Sequence, residues 1–469
     1  MSDAPLHYRT ISEVSALLRD KEISSVELTQ HMLSRIGDLD KRLKSYATVM
    51  SDSAVEQARI AEEEISSGRY RGPLHGVPIA VKDLCYTRGV RTMGGCKVLK
   101  DHIPVFDSTV VKRFKDAGAV LLGKLNLTEG AMGGYHPDFQ IPVNPWASDR
   151  WAGNSSSGSG VATAAGLCYG SLGSDTGGSI RYPSAACSVT GIKPTWGRVS
   201  RYGVLDLAQS LDHVGPMARS ASDAALLLQV ISGLDLNDPT TLMDEVPDFM
   251  DGISGGVSGL RIGWDERYAS EGIEEEVYAS VESGLRQLEG MGAEIVKVVM
   301  PVDIDEYLSG WKTICISEAL DAHRGFYPDR REDYGPYFQG WLDGGVGITG
   351  SDYAQANNKR QELNGLIAVA LQDVDVLVCP STSEAPYPVT PEILYGPRDE
   401  SAGSNRFQRF TQPFDFNGSP TISLPSGFTS EGLPLSLQVG GKNLSEQLLC
   451  RVGYAYQQET DWHNIHPKM

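Results

Sequence analysis

The feature that most restricts this chain is a stretch of 51 residues, 153–203, of which 11 are glycine and 10 are serine. Such a composition, far above ordinary usage, belongs either to a flexible linker or to tight turns packed inside a large fold. Val161, Ala162, Ala164, Ala165, Leu167 and Ile180 interrupt it with apolar positions that can pack a helix and a strand, which linkers lack. The stretch is therefore expected to be ordered. Residues 152–174 form a run of 23 without a charge. That run is mostly glycine, serine and alanine, without the sustained apolarity of a membrane helix, so no membrane span is expected.

On either side, short apolar runs alternate with helical patterns. Ser24, Ser25, Val26 and Glu27 read as a capping box ahead of Leu28, Met32, Leu33 and Ile36 at helical spacing, and a second helix is expected over 54–65. After Gly72 and Pro73 the pattern changes, beginning with 77–81 as a buried strand. Helix 109–117 then leads into strand 119–122, helix 221–231 precedes strand 260–263, and helix 274–288 precedes strand 294–299. Helix 353–372, strands 374–378, 420–424 and 437–439, and a helix over 446–457 complete the pattern. The class is α/β, with a large mixed sheet. An N-terminal helical segment, 1–70, precedes the main body, 71–469, in one compact domain. A variable cover segment at about 305–350 carries Trp311, Phe326, Tyr327, Tyr334, Tyr337, Phe338 and Trp341.

The formal charge is −19, from 60 acidic and 41 basic residues, and a surface of that sign repels phosphate backbones and anionic lipid. Direct nucleic-acid binding is not expected. The seven cysteines are widely spaced and form no CxxC pair, which fits reduced thiols in a core, and no HExxH or HxH appears. No metal and no cofactor are expected. The N-terminus has neither a basic region nor an apolar run of the secretory kind, so a cytoplasmic location is expected.

Two hydroxyl clusters on glycine-rich turns, 153–160 and 173–179, carry the chemistry. Glycines let backbone amides converge on one point, either a phosphate or a developing oxyanion. GxxxxGK[ST] is absent and no GxGxxG follows a strand here, so an oxyanion hole fits better. The single GxSxG, at 252–256, follows an acidic stretch and precedes a strand pattern, the reverse of a nucleophile elbow, and reads as a loop. His213 offers a base for a serine triad, but a lone histidine is more often a structural hydrogen-bonder. Lys82, at the end of the apolar run 77–81, is the base the sequence suggests, because desolvation at a buried strand end favours the neutral amine. Taken alone, it reads more readily as a snorkelling surface lysine paired with Asp83, and it is the serine segment that shifts the balance.

These blocks resemble the amidase signature enzymes, whose members share Gly-Gly-Ser-Ser-Gly-Gly-Ser, then Gly-Ser-Asp-Thr-Gly-Gly-Ser-Ile-Arg, and an upstream Gly-Val-Pro-Ile-Ala-Val-Lys-Asp. The second and third stand intact at 173–181 and 76–83, and the first stands at 153–159 with Asn154 and Ser157 replacing two glycines. Ser155 and Ser179 are 24 residues apart, as in the family, and blocks at 191–200, 210–216 and 418–425 continue the likeness. The match runs over roughly 10–460 and is weaker between about 235 and 350. The resemblance implies the amidase signature fold, a large mixed sheet covered by helices on both faces. It implies Ser179 as nucleophile, Ser155 on a cis peptide bond as proton relay, and Lys82 as base. The backbone amides of Thr176, Gly177, Gly178 and Ser179 would form the oxyanion hole, with Ser156, Asp175 and Arg181 in support. The reaction would be hydrolysis of a C–N bond through an acyl-enzyme, and family members are often dimers, so a homodimer is a further expectation.

The family includes hydrolases of small amides and carbamates and also the glutamine-hydrolysing component of the transfer-RNA-dependent amidotransferase, to which 193–203 is very similar. A glutamine site needs a cation for the carboxylate and an acid for the ammonium. Arg360 falls where that component has its arginine, but Gln408, flanked by Arg406 and Arg409, takes the acidic position. The missing acid favours a small amide or carbamate as the substrate, cleaved by an amidase acting alone. Met132, Gly133, Gly134 and Tyr135 are expected opposite the catalytic loop in an apolar or aromatic pocket.

Overall fold

Thr10 with Glu13, and Ser24 with Glu27, close reciprocal capping boxes that start the helices Ile11–Arg19 and Ser25–Leu43. The second is the box expected from sequence. A third helix, Ser51–Ser66, follows the first strand. Ile11, Val14, Leu28, Met32, Ala54 and Ala58 from these helices enter the same continuous core as the strands, so the first seventy residues share one apolar interior with the rest. The structure, a computed structural model, describes residues 4–301, 304–396 and 408–469.

The described strands form one eleven-stranded mixed sheet. They are β1 Tyr46–Val49, β2 Pro78–Lys82, β3 Val120–Leu125, β4 Gly170–Asp175, β5 Thr190–Lys193 and β6 His213–Ala218. The remainder are β7 Arg261–Trp264, β8 Glu294–Lys297, β9 Val376–Pro380, β10 Thr421–Phe428 and β11 Pro434–Gly441. Their order is β1-β3-β2-β4-β6-β5-β10-β11-β9-β7-β8. β2 is parallel to both β3 and β4, and β7 is parallel to β8 and β9, whereas the centre, β4-β6-β5-β10-β11-β9, is antiparallel. β2 through β6 are buried along their whole length, which is why β2 and β3 read as short continuous apolar runs and not as alternating patterns.

Helices Ser157–Ala164 and Arg181–Cys187 pack between this sheet and each other, the first on β4 and β2 and the second on β5, β10 and β11. The aromatic segment of the sequence folds as helices Ile304–Ala322 and Pro336–Gly345, followed by Gly350–Ala370, and the first of these packs on both of the others. The 252–256 segment is a turn, as expected for a GxSxG out of context.

Candidate active site

Lys82 is the last residue of β2 and Asp175 the last of its parallel neighbour β4; the pairing of Ala80 with Ser171 and Val81 with Leu172 brings Lys82 level with the Gly173–Ser174 end of β4. The carboxyl ends of parallel strands are where open α/β sheets place ligands. The Ser157–Ala164 helix lies across both strands, and the turn preceding it delivers Ser155 and Ser156 to the same end. The Asn154–Ser155 peptide bond is cis.

Lys82 is fully buried, and its Nζ lies 2.7 Å from Ser155 Oγ, 2.9 Å from Ser156 Oγ and 2.9 Å from Ser174 Oγ. It is not paired with Asp83, whose carboxylate faces Lys124 at 3.3 Å and accepts the Met93 N–H. Burial lowers the Lys82 pKa to about 7, against the opposing pull of Asp175. A neutral amine has one lone pair, so one of the three hydroxyls must donate to it. Ser156 donates its proton to the Ser174 carbonyl at 3.2 Å, which leaves Ser155 and Ser174 as the donors available.

Between 155 and 195 every residue is buried except Gly177 and Ser179. Both sit on the turn after β4, which Asp175 organises: its carboxylate accepts the N–H of Gly178 at 2.6 Å and of Ile180 at 2.9 Å, and the Arg181 guanidinium at 3.0 and 2.9 Å. Burial opposes the charge on Asp175, but Arg181 and these donors outweigh it and hold the carboxyl below the usual range. Gly178, at φ 132, adopts a backbone that side chains rarely tolerate. Its amide is spent on Asp175, which corrects the four-amide expectation. The Gly177 and Ser179 N–H groups meet no acceptor among the described residues. The two serine turns touch directly, because the Ser156 N–H donates to the Ser179 carbonyl at 3.2 Å. Thr176 donates its hydroxyl to Asp212 at 2.5 Å.

Ser179, Gly177, Thr176 and Asn154 open onto a cavity of about 440 Å³. Met132, Gly133 and Tyr135 line it, whereas Gly134 is covered by the Tyr337 ring and does not, a correction to the expected set. From the cover segment, Trp311, Tyr337 and Trp341 line the cavity, while Tyr334 and Phe338 are buried in packing. Lys312 is the one charged residue among the described lining residues, and no carboxylate is among them. Gln408 lines the wall. Arg360 is turned elsewhere, donating to the Phe416 carbonyl at 2.7 Å and to Ser210, and Arg409 donates to the carbonyls of Tyr268 and Glu271. Arg406 lies outside the described residues. His213 is buried against the Asp175 carbonyl and Asp415, burial pushes its pKa well down and favours the neutral ring, and its hydrogen bond goes to that carbonyl and not to a serine of the Lys82 cluster.

Sequence reasoning missed Ser174 as a partner of Lys82, although it stands inside an intact motif, and missed the walls Trp151, Tyr182 and Tyr387, for which no local signal exists. It also noted Asn154 and Ser157 only as departures. In the structure Asn154 donates to the Gly133 carbonyl at 3.1 Å, and Ser157 accepts the Tyr135 hydroxyl at 2.8 Å, so both tie the serine loop to the facing wall. Among the described residues no cluster of His, Cys, Asp and Glu could hold a metal ion, and no helix is long and apolar enough to cross a membrane.

A family model described as Amidase matches residues 27–450. The putative amidase AmiD of Mycobacterium tuberculosis is 43% identical over 458 residues, which cover 97% of this chain and 95% of that protein. A glutamyl-tRNA(Gln) amidotransferase component from Nitrosococcus oceani, its A-type polypeptide, is 36% identical over 488 residues, covering 98% of this chain and 99% of that one. Among solved structures, one described as a vestigial protein complex that reveals the evolutionary origins of an s-triazine catabolic enzyme superposes with a TM-score of 0.89 at 29% identity, covering 98% of this chain and 100% of that chain.

Proposed function

Because this chain belongs to the amidase family, we propose that it hydrolyses the C–N bond of a small neutral amide or carbamate, with Ser179, Ser155 and Lys82 as nucleophile, relay and base. One observation carries the reading: a buried amine with a pKa near neutrality stands 2.7 Å from Ser155, on a turn hydrogen-bonded to the turn that presents Ser179 to the cavity. Ser179 Oγ bonds to the acyl carbon as its proton passes to Ser155 and the Ser155 proton passes to Lys82. Collapse of the tetrahedral intermediate breaks the C–N bond, and the proton returns through Ser155 to the leaving nitrogen. Water then releases the acyl group by the same relay. The Gly177 and Ser179 amides receive the negative oxygen.

The substrate class follows from the walls. Trp151, Tyr182, Trp311, Tyr337, Trp341 and Tyr387 surround the cavity and no described carboxylate lines it, which suits an apolar or aryl group and leaves the ammonium of glutamine without a counter-charge. An enzyme acting alone is the reading this favours over a glutamine-hydrolysing member of a larger assembly. Purified protein and its Ser179→Ala variant should be compared on nitroanilides, an aryl carbamate, short aliphatic amides and glutamine. Serine-dependent release from the anilide or carbamate supports the proposal; ammonia from glutamine alone, and only with partner chains present, overturns it.

A further inference from the structure

The Ile304–Ala322 helix does more than cover the cavity. Trp311, 5% exposed, donates its indole N–H to the Thr176 carbonyl at 2.8 Å. Its ring presses so closely on the next residue that a Cβ on Gly177 would stand 2.6 Å from it. The Thr176 carbonyl and the Gly177 N–H belong to one planar trans peptide and point in opposite directions. A donor that fixes the carbonyl therefore aims the amide away from the indole, where no described group accepts it. The next peptide is pinned in the same way: Thr411 donates its hydroxyl to the Gly177 carbonyl at 2.7 Å, and the Gly178 N–H on its far side meets Asp175. The orientation of the Gly177 amide thus depends on a side chain 135 residues beyond Thr176, on a helix that carries none of the lysine and serine motifs.

We propose that Trp311 is a positioning residue for the oxyanion site, its N–H setting the direction of the Gly177 amide while its ring forms a wall for the substrate. This rests on the reading of Ser179 as nucleophile. One side chain then joins recognition to catalysis, so a substrate group that shifts the indole alters the geometry at the reacting carbonyl.

Trp311→Phe keeps an aromatic wall and removes the donor. For an anilide cleaved by the wild type, kcat should fall about 10- to 100-fold with KM within about threefold, because the lost contact acts on the transition state. Affinity for an arylboronic acid, which forms a tetrahedral adduct with a reactive serine, should fall by the same factor, whereas affinity for the matching carboxylic acid product should hold. Trp311→benzothienylalanine, which replaces the N–H by sulfur in a ring of the same shape, should reproduce the loss even where the phenylalanine variant folds poorly. A kcat retained within about twofold, or a rise in KM at constant kcat, reduces Trp311 to a wall and overturns the proposal. Wild-type protein with neither Ser179-dependent cleavage nor boronate binding overturns the acyl-transfer reading, and the positioning role with it.

Discussion

Tyr135 donates its hydroxyl to Ser157 Oγ at 2.8 Å, and both groups are buried. The bond holds the cavity wall to the first turn of the helix that follows Ser155 and Ser156. Ser157→Gly strands the phenol without its acceptor and puts glycine into a helix, so a loss of about 1–3 kcal/mol is expected in denaturant unfolding. Tyr135→Phe strands the serine, at about 1 kcal/mol. The double variant should cost less than the sum, because each single change leaves a partner unpaired that the double change does not. Strict additivity would show that the contact is not a coupled one.

Only the unprotonated Lys82 amine accepts a proton, and burial sets its pKa at about 7. In the free enzyme kcat/KM should therefore climb about tenfold per pH unit below that value and level off above it. Lys82→Arg, charged throughout, should remove the activity and not shift the profile. A rate that falls steadily from about pH 6 to 9 would rule out a lysine base.

The parts of this site that the sequence made legible are those written as local runs. Lys82 ends an apolar strand, and Ser155 and Ser179 stand in glycine-rich turns, so motif and periodicity both mark them. What stayed hidden is of two kinds. The β4 run, Gly170–Asp175, has glycine and serine at four of its six positions and low strand propensity, and becomes a strand because β2 and β6 pair with it on both sides. The direction of a backbone amide, such as Gly178 towards Asp175, and the walls brought in from Trp151, Trp311 and Tyr387 depend on contacts far apart in the chain. Arg360 shows the converse error: its place in the sequence suggested a ligand, but its guanidinium is used by Ser210 and the Phe416 carbonyl.

Glu129, on the turn before Met132, accepts the Gly335 N–H on one carboxyl oxygen at 2.8 Å, and its other oxygen is buried with no hydrogen-bond partner among the described residues. Burial raises its pKa to about 8. The folded chain therefore holds a proton there that the unfolded chain, with an ordinary glutamate, has released, and the stability this proton confers is lost as pH rises from about 4.5 to 8. Glu129→Gln carries no such dependence. Its Tm advantage over wild type should be near zero at pH 4.5 and grow to about 4–5 °C by pH 8, then stop growing. A difference that is flat across this range would show that Glu129 does not keep its proton in the fold.

Asp175 and Asp415 compete for one guanidinium, since Arg181 Nη2 lies 2.9 Å from the first and 2.6 Å from the second, with all three fully buried. A single buried cation does not neutralise two buried carboxylates. Asp175 also accepts the Gly178 and Ile180 amides and keeps the charge, whereas burial and the neighbouring Asp175 push the Asp415 pKa well up, which favours its neutral form. The two aspartates should therefore respond differently to the same change. Asp415→Asn replaces a neutral acid by a neutral amide and is expected to cost about 1 kcal/mol or less. Asp175→Asn takes away the carboxylate that holds Arg181 and the Gly178 and Ile180 amides together, so that only Asp415 is left to ionise beside the guanidinium; it should cost more than Asp415→Asn, about 2–4 kcal/mol, and lower kcat beyond what unfolding explains, because the turn that carries Ser179 is loosened. Equilibrium unfolding of both variants, with kcat measured well below their transitions, decides the assignment, and equal costs would place the charge on both.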